Sequence, residues 1–276
     1  MSGERAFYHF DRELGIARIR ASYRRHRFPP HVHDSFLLGL TMAGVEAFNQ
    51  EGRAYRSTAG CVRTINPGAV HDGGSEGDEP WAYQAIYVPA ALFAGEAPPH
   101  FAEPVIRDAP LAAGVVRLFT ILADEPDALA REEALARVLG SLAARSQIAP
   151  PQRPGLEHAA VRRARDHIAA HALGSLPLDA VAAAAGLSKF HLLRVFKAET
   201  GLTPWQYQTQ VRVDAARAML ARGEPPGQVA AACGFVDQSH LTRRFRAVTG
   251  ITPASYAARH RSIRTAPPRA TIGRPA

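Results

Sequence analysis

Cysteine is nearly absent: the 276 residues hold two, Cys61 and Cys233, in different halves of the chain. That usage gives no disulfide framework and suits a reducing compartment. No apolar run reaches the roughly eighteen residues a membrane-spanning helix needs. The opening MSGERAFYHFDRE carries early acids and no apolar core, so no secretory leader is visible and a cytoplasmic protein is expected. Catalytic signatures are missing as well: there is no G-x-S-x-G, no phosphate-binding loop, no G-x-G-x-x-G after a strand and no cysteine cluster. The chain is therefore expected not to be an enzyme.

The C-terminal part is also short of acid. Residues 156–276 hold 17 Lys and Arg against 7 Asp and Glu, whereas residues 1–155 hold 16 against 18. The net charge of +8 thus comes wholly from the C-terminal part. Such asymmetry points to a polyanion partner, most often nucleic acid, with a merely solvated basic surface as the alternative.

What is present changes character along the chain. Residues 15–90 read as short strands: FLLGLTMAGVEAF (36–48) is apolar with glycine interruptions, and WAYQAIYV (81–88) alternates its aromatic residues. GRAY (52–55), AGC (59–61) and NPG (66–68) read as turns, so a small barrel or sandwich is expected. LAAGVVRLFTILAD (111–124) and EEALARVLGSLAARS (132–146) instead place apolar residues at helical spacing. Their stripes need cover, either from the β-rich part or from a second copy of the chain. IAPPQRPG (148–155) is the best boundary, and the tail after Arg261 is expected to be disordered.

The strongest feature is a repeat. VAAAAG (181–186) matches VAAACG (229–234), and HLLRVFKAETGLTPWQY (191–207) matches HLTRRFRAVTGITPASY (240–256). Each copy is a small-residue helix, a glycine turn and a second helix ending in T-G-[LI]-T-P, the sequence form of a helix-turn-helix. Leu192, Val195 and Phe196 make an inward face, matched by Leu241 and Phe245. The outward face falls to Lys189, Phe190, Leu193, Arg194 and Lys197 in one copy, and to Gln238, Ser239, Thr242, Arg243 and Arg246 in the other. Ser188 and Asp237 read as N-caps, at helix starts that favour a phosphate. A helix over about 204–221 would join the units and span about 27 Å, close to the roughly 34 Å between major-groove faces on one side of B-DNA. A plain helical bundle is the competing interpretation.

The run VAAAAGLSKFHLLRVFKAETGLTPWQY (181–207), with its second copy GFVDQSHLTRRFRA (234–247), resembles the AraC/XylS transcription regulators over nearly all of 160–260. The resemblance implies that the second helix of each unit enters the major groove of double-stranded DNA. Phe190, Leu193 and Arg194 then match base-contacting positions in the first unit, and Gln238, Ser239, Thr242 and Arg243 in the second. Arginine can bond guanine, glutamine can bond adenine, and apolar groups can touch thymine methyls.

In the N-terminal half, FPPHVHDSF carries His31 and His33, and NPGAVHDGG carries His71. In a strand His31 and His33 would point to one side. The H-x-H…P-G-x-x-H layout resembles the cupin barrel, and the cupin-like sensor of AraC-type regulators, which implies a small-molecule effector without metal. Glu46 stands too far after His33 for the usual cupin spacing. The histidines therefore carry three readings: scaffold hydrogen bonding, an effector pocket shared with Trp81 and Tyr83, or a metal held by His31, His33, Glu46 and His71. No cofactor is expected.

The expected architecture is a multidomain α+β chain. A cupin-like β-barrel with following helices (1–148) would sense an effector and form a homodimer. A linker (149–157), an all-α domain of two helix-turn-helix units joined by a long helix (158–262) and a disordered tail (263–276) complete it. The expected function is sequence-specific, effector-responsive regulation of transcription, with RNA polymerase as a further partner and no membrane. A metal-dependent cupin enzyme with a helical regulatory appendage is the alternative, and a purely architectural DNA binder is the third class.

Overall fold

The computed structural model describes residues 4–93, 99–146 and 156–258. Strands β1 (Arg5–Asp11), β2 (Ile16–Tyr23), β3 (Arg27–His31), β4 (Phe36–Ala43), β5 (Val45–Gln50), β6 (Arg53–Thr58), β7 (Val62–Ile65), β8 (His71–Ser75), β9 (Trp81–Val88) and β10 (Val105–Ile106) come first. They form two antiparallel sheets, in the orders β1-β2-β9-β4-β7-β10 and β3-β8-β5-β6. The apolar stretch 36–48 is not one strand: a turn at Gly44 passes the chain from the larger sheet to the smaller. The GRAY turn is likewise shorter than expected, because β6 already starts at Arg53.

Period-2 alternation explains why the larger sheet is buried on both faces. On β4 and β9, Leu38, Leu40, Ile86 and Val88 point to one side, where they pack with α1 (Ala109–Asp124) and α2 (Ala128–Ala143). Leu111, Val115, Leu118 and Phe119 of α1 and Leu135, Val138, Leu139 and Leu142 of α2 supply the cover. Each fully buried side chain of this kind is worth about 1.5–3 kcal/mol. The helical stripes are thus covered within the chain, while Val116 and Leu129 stay exposed. Asp108 and Asp127 cap the two helices by accepting from Leu111 N and Ala130 N. The opposite face of the larger sheet, with Leu37, Trp81 and Tyr83, looks toward the smaller sheet and a cavity.

The second half is helical: α3 (Leu156–His171), α4 (Leu178–Ala185), α5 (Lys189–Thr200), α6 (Pro204–Arg222), α7 (Pro226–Ala232) and α8 (Gln238–Thr249). Leu156 and Glu157, expected in the linker, already belong to α3 because helical packing of Ala160, Val161 and Ala164 begins there. Residues 149–155 and the tail 263–276 lie outside the described residues. The long helix α6 starts on a full capping box, in which Thr203 and Gln206 bond reciprocally and Pro204 opens the first turn. The two halves share packing. Val32 of the β-rich half joins the core of the first helix-turn-helix unit, and Tyr8 and Tyr23 join that of the second.

Candidate DNA-reading surface and effector cavity

The two helix-turn-helix units are built alike. Val181, Ala182 and Ala185 on α4 pack beneath Leu192, Val195 and Phe196 on α5; Val229 and Ala230 on α7 pack beneath Leu241 and Phe245 on α8. Small side chains on the supporting helix let the backbones approach. Ser188 accepts from His191 N at 3.3 Å, and Asp237 accepts from His240 N at 2.6 Å, so the same cap opens both second helices.

With the inward faces sealed, the expected reading residues stand outside. Ser188, Lys189, Phe190, Leu193, Arg194 and Lys197 are exposed on the first unit, as are Gln238, Ser239 and Arg243 on the second; Thr242 is half-buried. Phe190 leaves 86% of its surface in solvent. An apolar ring costs solvation there unless a partner covers it. The sequence reading missed Val236, which is 88% exposed in the turn before α8 and adds an apolar group to the same surface. Its one signal was an aliphatic residue directly before a capping aspartate. On the first unit, Lys189 pairs with Asp179 at 2.9 Å and Arg194 reaches Glu157 at 3.4 Å.

The cavity lies between the two sheets, with a volume of about 40 Å³. Its walls include Trp81, Tyr83 and Tyr87 of β9, Arg63 of β7, Glu46 of β5 and His71 of β8. One further wall, Val248, comes from α8 of the helical half. Trp81 and Tyr83 stack at 4.2 Å between centroids. Tyr87, Glu46 as an ion-pair member and Arg63 were not legible as pocket residues.

The three histidines do meet, with ring centroids 4.1 Å apart for His31 and His71 and 4.8 Å for His33 and His71. His33 lies beyond the end of β3, so its approach comes from the loop and not from strand alternation. It stands behind the cavity wall, against Tyr87 at 5.2 Å. Each Nδ1 meets a carbonyl two residues away: Pro29 O at 2.8 Å, Ser35 O at 2.7 Å and Ala69 O at 2.9 Å. Burial pushes His31 down to about 4 and His33 to about 3, and pushes His71 well below its usual range. All three are therefore neutral near pH 7, which makes each Nδ1 the donor. The fourth metal candidate, Glu46, is engaged elsewhere, because Arg63 donates to its Oε1. Among the described residues no group of three or more His, Cys, Asp or Glu side chains is arranged to hold a metal.

The halves meet beside this cavity. Tyr8 donates to Thr249 O at 2.9 Å and Tyr23 donates to the same carbonyl at 3.3 Å, at the C-terminal end of α8. At the equivalent place on the first unit, Gly201 lies against Val70. The β-rich half thus seats against the T-G turn of both units. Arg217 of α6 lies 5.8 Å from the Tyr8 ring and 5.7 Å from the Tyr87 ring, which links the joining helix to the cavity wall.

Residues 13–139 match the family model of the AraC-like ligand binding domain, and residues 181–259 match a helix-turn-helix domain model. The uncharacterized HTH-type transcriptional regulator YbfI of Bacillus subtilis is 26% identical over 238 residues, covering 82% of this chain and 86% of that protein. Among solved structures, an apo lysine-to-alanine variant of ToxT from Vibrio cholerae superposes with a TM-score of 0.61 at 11% identity, covering 88% of this chain and 97% of that chain. Unsaturated fatty acid bound wild-type ToxT gives 0.60 at 11% identity, covering 88% and 94%. At that identity the likeness speaks for the fold alone.

Proposed function

Because the chain belongs to the AraC family of helix-turn-helix transcription regulators, with a ligand-binding and a DNA-binding domain, we propose that it reads a specific DNA site with α5 and α8 and answers to a small-molecule effector held between its sheets. One observation carries the proposal: two helices with sealed inner faces and side-chain caps at the same position present Phe190, Leu193 and Arg194, and Gln238, Ser239 and Arg243, to solvent. The first unit offers apolar groups where the second offers polar ones, so the two half-sites differ in sequence and one monomer's site is asymmetric. An architectural binder would have no need of that difference. The capped N-termini of α5 and α8 add a place for backbone phosphates.

ToxT, of the same fold, is described with a bound unsaturated fatty acid, which supports a small organic effector in the β-rich half here. Effector binding would act by shifting populations between domain arrangements that engage DNA well and poorly. Val248 in the cavity wall gives that shift a path, since it stands on the reading helix itself. The exposed Val116 and Leu129 on α1 and α2 support association of two copies through those helices. Such a regulator works where the DNA is, in the cytoplasm.

The test is a gel-shift titration at fixed salt, on a site selected from random or genomic duplexes. Arg243→Ala and Arg194→Ala are each expected to weaken binding by about 5- to 150-fold, or roughly 1–3 kcal/mol for a base-reading arginine. Arg194 should lie toward the lower end, because Glu157 already competes for it. Unchanged affinity in both variants, or equal affinity for selected and scrambled duplexes, rejects the assignment.

A further inference from the structure

The cavity between the sheets contains a polar set that its own neighbours leave incomplete. Arg63 and Glu46 are 9% and 2% exposed in their side chains and form an ion pair in the cavity wall. Arg63 gives Nη1 to Glu46 Oε1, yet its Nε and Nη2 are buried with no hydrogen-bond partner. Trp81 Nε1 is buried without a partner as well, and so is Glu46 Oε2. Leaving a buried donor unpaired costs about 1–3 kcal/mol, more for a charged group. Native interiors rarely leave three such donors of one cavity lining without something that accepts from them.

Nε and Nη2 lie on one edge of the guanidinium and present two parallel N–H groups. A carboxylate accepts at that edge with both oxygens, and no neutral amide or hydroxyl matches it as well. The guanidinium plane is fixed from behind by Phe48, whose ring centroid lies 3.9 Å from Arg63 Cζ. The edge is therefore held in place before any ligand arrives. Much of the remaining wall is aromatic, with Trp81, Tyr83 and Tyr87 on one sheet and Phe28 on the other, beside aliphatic Leu37 and Ile65 and polar Thr41 and Asp72. Charge in the wall is mixed: the buried histidines are neutral, Arg63 is the cation, Glu46 is already paired to it, and Asp72 adds a second carboxyl group. The free edge of Arg63, and not the net charge, therefore selects the ligand.

Size narrows the class. A cavity of about 40 Å³ has room for a carboxylate and little more, whereas a ring such as benzene fills a cavity of about 150 Å³. A long acyl chain does not fit. A modest body can be admitted only by moving a wall, and Val248 of α8 is the wall contributed by the other half.

We propose that the effector is a compact carboxylic acid whose carboxylate pairs with the Nε–Nη2 edge of Arg63 and Trp81 Nε1, with its body against the aromatic walls. This rests on the effector reading above and adds the ligand class and its anchor, neither of which the histidine pattern indicated. A hydroxyl or amine on the acid would also complete Glu46 Oε2.

The test is thermal shift and titration calorimetry on the full chain without DNA, at fixed pH and ionic strength. The probes are propionate and benzoate, the matched amides propionamide and benzamide, and oleate. At saturation at least one short acid should raise the melting temperature by about 3 °C or more, and its amide should not. Trp81→Phe should weaken that acid several-fold. The double variant Arg63→Met/Glu46→Leu removes the ion pair without leaving a lone buried charge, so it should fold, bind the selected DNA site and lose the acid response. Equal response to acid and amide overturns the proposal. So does an unchanged response in the double variant, a response to oleate alone, or no response to any short acid at tens of millimolar. Because DNA affinity is measured separately, retained DNA binding with no acid response removes the ligand class and leaves the regulator reading standing.

Discussion

Truncating Arg63 alone to Ala is expected to destabilise the β-rich domain by about 3–5 kcal/mol, the usual cost of stranding one member of a buried ion pair. The geometry gives the reason: Glu46 is 2% exposed in its side chain, Arg63 donates to its Oε1, and Oε2 has no partner. Replacing both partners, as in Arg63→Met/Glu46→Leu, should cost far less, because two charges then leave the interior together. The pH dependence separates a lost charge partner from a simple cavity. Burial raises the Glu46 carboxyl from 4.5 to about 7, against the downward pull of Arg63. Without Arg63 it must rise further. A carboxyl raised on folding contributes stability that is complete below its unfolded value and is lost as pH climbs through the folded value. In the parent that loss is finished near pH 7; in Arg63→Ala it continues above. The gap between parent and variant should therefore widen from pH 6 to pH 8.5 in denaturant melts. A gap independent of pH would assign the effect to packing over Phe48 instead of to charge.

The same pair shows where sequence reasoning stopped. The helical half was legible because its rules are local. A cap at Ser188 bonds three residues away, a buried face recurs every three or four residues, and the repeat states each rule twice. The helices of the two repeat units, the joining helix and the outward residues follow from those rules, whereas α3, which lies before the repeat, had no such reading. In the β-rich half the alternation of Trp81, Tyr83 and Tyr87 was visible, but their cavity-side neighbours come from other strands. Arg63 reads in sequence as an ordinary polar position in a short strand, and Glu46 looked like a spare metal ligand. Only the meeting of β5 and β7 makes them a pair. The histidines were noticed for spacing that holds only in part, since His33 reaches the cluster from a loop. The docking of the two halves had no sequence signal, because Tyr8 and Tyr23 find Thr249 across more than two hundred residues.

That docking carries the second large effect. Gly250→Ala is expected to separate the two halves, so that a single cooperative melt becomes two transitions. Gly250 ends α8 with φ +77, where an L side chain costs roughly 1–2 kcal/mol by itself. Its added methyl would also meet the Tyr23 ring, 2.6 Å from Cζ and 2.8 Å from Cε1. Tyr23 is fully buried and cannot swing away without opening the core that holds it. Relief has to come from lifting the end of α8, which breaks both tyrosine bonds to Thr249 O. Each bond is worth about 1 kcal/mol net, and more if the hydroxyl stays buried without a partner. The total is on the order of 3–5 kcal/mol, enough to undock the halves. Gly60→Ala supplies the control, since it has φ +83 and open space around it, and should show the backbone cost alone. A double-mutant cycle isolates the contact: in a Tyr23→Ala background the added methyl has room, so the excess cost of Gly250→Ala should fall toward that of Gly60→Ala. A single transition shifted no further than in Gly60→Ala would mean that α8 is not held by the β-rich half. If the excess is present and vanishes in the cycle, the end of the second reading helix is mechanically tied to the sheet beside the cavity. The seat at Gly201 would then fix the other reading helix to the same body. The distance between the two reading heads becomes a property of the β-rich half, and whatever fills its cavity acts on both at once.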